Sequence, residues 1–103
     1  MKASTPRNKA GYPTARKIRR ACENELYRTV KRLGVWISKE RLGQAEKIYF
    51  KKVALNLPWI HENASNRKLL ADWWDDNVSG EIAQLWEVDP VRLKAAFREA
   101  FGG

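Results

Sequence analysis

The side chains best equipped for chemistry in this chain are cations, and their spacing places them on helices. Arg16, Lys17, Arg19, Arg20, Lys31 and Arg32 share one apolar-periodic stretch, and Lys47, Lys51 and Lys52 lie in the next. Such rows neutralise phosphates, each contact steepening the salt dependence of binding by about one unit of slope. A third set, Arg92, Lys94 and Arg98, follows Asp89-Pro90 near the C-terminal end. A guanidinium can donate two parallel hydrogen bonds to guanine, so Arg92 is the expected base contact, with Val91 and Ala95 suited to a thymine methyl. Arg98 is expected to anchor a phosphate or to act as a helix-end charge.

Constellations for catalysis are weaker. His61 is the one histidine; His61-Glu62 opens like a zinc-protease motif, but Ser65 stands where the second histidine belongs. With one cysteine, Cys22, forty residues away, no protein-only metal site is expected. Asp72, Asp75 and Asp76 have a spacing that can pair carboxylates on one helical face. Solvated or ion-paired carboxylates are the expected state, ahead of a divalent-ion site. There is no glycine-rich phosphate loop and no G-x-S-x-G turn. An enzyme is therefore not expected, and no cofactor is implied.

The whole chain supports this emphasis on charge. Its 103 residues suit one domain with a modest core, and 44% hydrophobic with 31% charged residues argues for a folded chain. The net charge of +8 favours a polyanionic partner, most often nucleic acid. It is unevenly spread. Residues 1–52 carry fifteen Lys and Arg against four acids, whereas residues 53–103 carry five against eight. The C-terminal cations sit in the acidic half, so binding through them needs the basic half to hold phosphates alongside. Cys22 alone permits no intrachain disulfide, and the start shows no apolar signal core, so a reducing, cytoplasmic setting is expected. The sequons at Asn63 and Asn77 are then silent. No apolar run approaches a membrane span.

These cations need helices to position them. Residues 1–13 read as a flexible basic arm with Lys2, Arg7 and Lys9. Thr14 caps a helix to Leu33, with Ile18, Cys22, Leu26, Val30 and Leu33 as its apolar stripe and Gly34 as its stop. Cys22 in that stripe is expected as a buried small apolar residue. Val35-Trp36-Ile37 reads as a linker packing Trp36 into the core. Ser38 caps a second helix to about Asn56, apolar nearly all round in its last turns and ended by Pro58. A polar loop follows over 61–66. Asn63 or Ser65 then starts a helix to Asn77 carrying Leu69, Leu70, Trp73 and Trp74. Its aspartates oppose the helix dipole and call for a cation, expected from the first two helices or another subunit.

Residues 79–101 read as two short helices with a tight turn. Ser79 is the expected cap of the first, and Asp89-Pro90 starts the second. Ile82 and Ala83 in the first, Val88 after the turn and Leu93 in the second have a spacing that resembles the helix-turn-helix of small bacterial and phage regulators. The resemblance covers about a fifth of the chain. It implies DNA binding, with Arg92, Lys94 and Arg98 on the reading helix. One departure is Glu87 where that turn usually has glycine, a position that needs positive φ.

The expectation is an all-α, single compact domain over 14–103 with four or five helices. The expected function is nucleic-acid binding, DNA ahead of RNA, by a small regulator or accessory factor. Either a homodimer or a protein partner is compatible with this sequence. Two rivals remain open. One is an RNA-binding or ribonucleoprotein subunit that grips through the arginine-rich first helix. The other is a helical adaptor or inhibitor that docks through Trp73 and Trp74 and an acidic face of Asp72, Asp75, Asp76 and Glu81.

Overall fold

Six α-helices are present among residues 11–103, the part that this computed structural model describes. They are α1 (Ala15–Leu33), α2 (Lys39–Leu55), α3 (Leu57–Glu62), α4 (Arg67–Asn77), α5 (Ser79–Trp86) and α6 (Pro90–Phe101). No strand occurs among the described residues. The expected basic arm, with Lys2, Arg7 and Lys9, lies mostly outside them. Its described end includes Tyr12, whose ring meets His61 edge-on at 5.0 Å.

The caps are local chemistry. Thr14 Oγ1 accepts from the backbone N–H of Lys17, Ser38 Oγ from Arg41, and Asp89 Oδ1 from Val91. Each satisfies a donor that the helix itself leaves orphaned. Gly34 closes α1 with φ of 74°, and its N–H donates to Val30 O. Two expected starts move. Asn66, not Asn63 or Ser65, caps α4 through Oδ1. Ser79 is not a cap: it is buried in the first turn of α5, and its hydroxyl donates to Asp75 O at 2.7 Å.

The sixth helix is the short α3. Pro58 was expected to end the preceding helix, but it sits in the first turn of α3, where its missing N–H leaves no hydrogen bond unmade. The chain thus breaks at Asn56 and restarts, rather than running into a loop. The restart leaves Ala54 and Leu55 outside the core, with Leu55 74% exposed. The end of α2 is therefore not buried all round.

The core lies beneath α1, which packs along α6 on one side and α2 on the other. Ile18, Cys22, Leu26 and Leu33 are buried as the stripe requires. Thr29 joins them because its hydroxyl donates to Glu25 O at 2.7 Å, which removes the cost of burying it. At the centre Trp74 and Phe97 lie parallel, with centroids 3.8 Å apart, and Tyr49 meets both edge-on at 6.1 Å. Burying such rings removes roughly 150–250 Å² of surface each. This cluster joins α2, α4 and α6.

Trp36 does not pack inward. It is 86% exposed, whereas Val35 and Ile37 rest against the core. Its two neighbours take the inward positions of this short linker, and the indole is left in solvent. Trp74, expected as a possible docking anchor, is 1% exposed and belongs to the core. Among the described residues no helix is long and apolar enough to cross a membrane.

Candidate nucleic-acid interface

The cations divide into exposed ones and ones committed within the fold. The outer side of α1 is the side opposite Ile18, Cys22 and Leu26. Arg16, Arg20 and Lys31 are exposed there, Lys17 is exposed on the flank of α1 toward α3 and α4, and Lys47 and Lys51 are exposed on α2. None of these six makes an ion pair among the described residues. Arg19 lies at the junction of the two helices, its guanidinium 4.9 Å over the ring of Phe50. That contact holds α1 to α2 and leaves the charge at the surface. Beside it Glu46 is pushed above the usual carboxylate range by burial and by the nearby Glu23 carboxylate, with Arg19 opposing the rise.

Aromatic rings are interleaved with this charge. Tyr27 is 55% exposed, and Lys31 Nζ lies 4.8 Å from its centroid. The spacing of four residues makes them neighbours on one helical face. Their pairing was legible in the sequence, though the cations alone drew attention. Trp36 was missed because a three-residue apolar run reads as core, and only packing decides which of its residues turn inward.

The turn between α5 and α6 is closed by backbone hydrogen bonds from Glu87 to Gln84 and from Val88 to Ala83. Glu87 takes the left-handed conformation, φ 55°, without being glycine. Two contacts to α2 hold the turn. Arg41 Nη2 donates to Glu87 Oε2 at 3.2 Å, and Trp86 Nε1 donates to Arg41 O at 3.1 Å. The motif positions Ile82, Ala83 and Leu93 are buried, and Val88 is half-buried. Leu93, Ala96 and Phe97 turn α6 inward, so Val91, Ala95 and Glu99 face solvent.

The three α6 cations fare differently. Arg92 is exposed as a residue, but one guanidinium nitrogen donates to Leu33 O at 3.2 Å, which fixes it at the C-terminal end of α1. Arg32 reaches across to Glu99 at 3.4 Å, so Arg32 and Arg92 border one shallow groove with Ala95. Lys94 is half-buried with no ion pair among the described residues. Arg98 is committed inward: one nitrogen meets Asp72 and also Asp75 Oδ2, the latter at 2.8 Å. The cation that the α4 aspartates required therefore comes from α6, not from the first two helices. Hydrogen bonds from Arg98 and Lys68 hold the Asp72 carboxyl below its ordinary range. Lys52 likewise pairs with Glu81.

The structure thus gathers Arg16, Lys17, Arg19, Arg20, Lys31, Lys47 and Lys51 on α1 and α2, and Arg32 with Arg92 where α1 ends beside α6. Arg98 and Lys52 are engaged by carboxylates. Cys22 is buried, and its thiol is pushed up to about 12 by that burial and by the Glu46 and Glu25 carboxylates. No group of three or more His, Cys, Asp or Glu is placed to hold a metal ion among the described residues. Comparison of the chain with protein-family models, with curated proteins and with solved structures finds no match in any of the three.

Proposed function

We propose that this protein binds nucleic acid as a small regulator or accessory factor acting in the cytoplasm. In this reading α1 and α2 hold phosphates, and the α5–α6 hairpin serves as a helix-turn-helix on duplex DNA. The observation that carries it is the set of six exposed cations on α1 and α2 without an ion pair among the described residues. A folded domain gains little from leaving so much like charge uncompensated, whereas a polyanion supplies the counter-charge and releases ions. Arg92, Val91 and Ala95 form the reading edge of α6; Arg98 and Lys52 are assigned to the fold. A second copy across a two-fold axis would supply the other half-site.

One observation favours a second reading. Tyr27 is exposed beside Lys31 and Trp36 is exposed in the linker between the two basic helices, and unpaired bases stack on such rings. A single-stranded RNA partner gripped by α1 would use them directly. An adaptor docking through Trp73 and Trp74 is not proposed, since Trp74 is inside and Trp73 is half-buried against the core.

The test is a salt titration of binding to duplex DNA, single-stranded RNA and heparin, followed by selection of preferred duplex sites. Duplex DNA binding tightest, with site preference lost in Arg92→Ala, supports the helix-turn-helix reading. RNA binding tightest, with Arg92→Ala silent, supports the second. Equal attraction to heparin with no preference for either nucleic acid overturns both.

A further inference from the structure

A cleft of about 420 Å³ opens where the N-terminal half of α1 meets α3, α4 and the end of α6. Small-molecule pockets commonly span about 300–1,000 Å³. Ile18, Val53, Leu57, Ile60, Leu70 and Phe97 line it with apolar surface. At about 30 Å³ for each water-sized group, it holds on the order of fourteen heavy atoms.

Two cations on the lining make no hydrogen bond through their side chains among the described residues: Lys17 and Arg67. The Arg67 guanidinium lies 4.3 Å over Phe101, which also lines the cleft. Its Nη1 is 4.0 Å from Glu25 Oε2, beyond hydrogen-bond range, so its planar fork of donors is open to a ligand. Glu25 contributes the one carboxylate of the lining, and Arg28 approaches its other oxygen at 3.7 Å. Positive charge is therefore in surplus at the edge of an apolar hollow.

We propose that this cleft binds a free amphiphilic monoanion, an aliphatic carboxylate of medium chain length, with its tail over the apolar lining and its carboxylate held by Arg67 and Lys17. An organic cation of the same shape would meet the two cations instead. A neutral chain would leave their donors unused.

The test is calorimetric titration of the full chain with decanoate below its micelle concentration. Saturable one-to-one binding is expected, weaker for octanoate by about fifteenfold, because each methylene contributes about fourfold. Decyltrimethylammonium should bind at least about tenfold more weakly than decanoate. Arg67→Gln should weaken decanoate by about tenfold. Ala21→Trp, at an exposed position on the lining, should abolish binding, and Arg20→Gln on the outer side of α1 should not change it. Thermal unfolding of each variant verifies its fold. Equal affinity for decanoate and the ammonium amphiphile overturns the proposal. So does decanoate binding untouched by both Arg67→Gln and Ala21→Trp, or binding only to anionic phospholipid vesicles.

Discussion

Arg98 on α6 donates to Asp75 on α4 at 2.8 Å, and the same nitrogen also meets Asp72. One side chain thus answers two carboxylates on a helix whose dipole disfavours them near its C-terminal end. Arg98→Ala leaves Asp75, which is mostly buried, without that partner. We expect a loss of about 1–2 kcal/mol by urea denaturation at pH 6, since the pairs are partly exposed.

The same contact has a defined pH dependence. The Asp72 carboxyl is held low in the folded state by Arg98 and Lys68. A depressed carboxylate contributes stability that is present above its unfolded pKa, about 3.9, and is lost as pH falls through the folded value. The advantage of the native protein over Arg98→Ala should therefore be constant between pH 5 and 7, by our estimate from about one unit above that pKa, and shrink below about pH 4. Paired denaturation curves at pH 6 and pH 3 check this; an unchanged difference would refute it.

Glu87 occupies a left-handed backbone position that costs a side-chain-bearing residue about 1–2 kcal/mol. Glu87→Gly relieves that cost but gives up an exposed ion pair with Arg41, contributing about 0–1 kcal/mol. The net expectation is a slight stabilisation, and Glu87→Val should destabilise because a β-branched residue tolerates positive φ poorly. Thermal unfolding of the three proteins should rank them Gly, Glu, Val.

Trp36 and Trp74 should behave as opposites. Trp74→Ala removes a ring stacked in the core and should cost about 3–5 kcal/mol. Trp36→Phe should change stability by less than about 0.5 kcal/mol. It should also remove the part of the fluorescence most readily quenched by acrylamide. Unaltered quenching in Trp36→Phe would place that ring inside.

For nucleic-acid binding, Arg20→Ala should lower affinity for all sequences and reduce the salt slope by about one unit. Arg92→Ala should instead reduce discrimination between sites by about 1–3 kcal/mol with the slope nearly preserved. Binding isotherms at several salt concentrations separate the two effects.

The thiol of Cys22 should be inert in the folded protein, since burial holds it at about 12. A thiol-reactive disulfide reagent at pH 8 should modify it slowly without denaturant and fully in 6 M guanidinium, by our estimate well past the usual unfolding midpoint of about 5 M or less. Rapid modification of the native chain would contradict this.

Capping and stripe signals were strong enough in the sequence to place most helices. Thr14, Ser38 and Asp89 cap through their own side chains, and the α1 stripe is buried at Ile18, Cys22, Leu26 and Leu33, with Val30 half-buried beside it. Such features depend on residues three or four apart on one helix, so they are written locally. Pro58 was ambiguous because proline both ends a helix and fits the first turn of the next, and only the neighbouring packing selects between these. The uneven charge was also plain: the cations of α1 and α2 fall outside the apolar stripe, and most of them are exposed. What the sequence could not specify was which faces meet. Periodicity groups Leu69 and Leu70 with Trp73 and Trp74, and sets Arg92, Lys94 and Arg98 off the apolar side of their own helix. It says nothing of the helix opposite. Tertiary packing put Trp74 on Phe97, Arg98 on Asp72 and Asp75, and Arg92 on Leu33 O, partners 23 to 59 residues away in the chain. It also left Trp36 in solvent, because the short linker between α1 and α2 turns Val35 and Ile37 against the core instead.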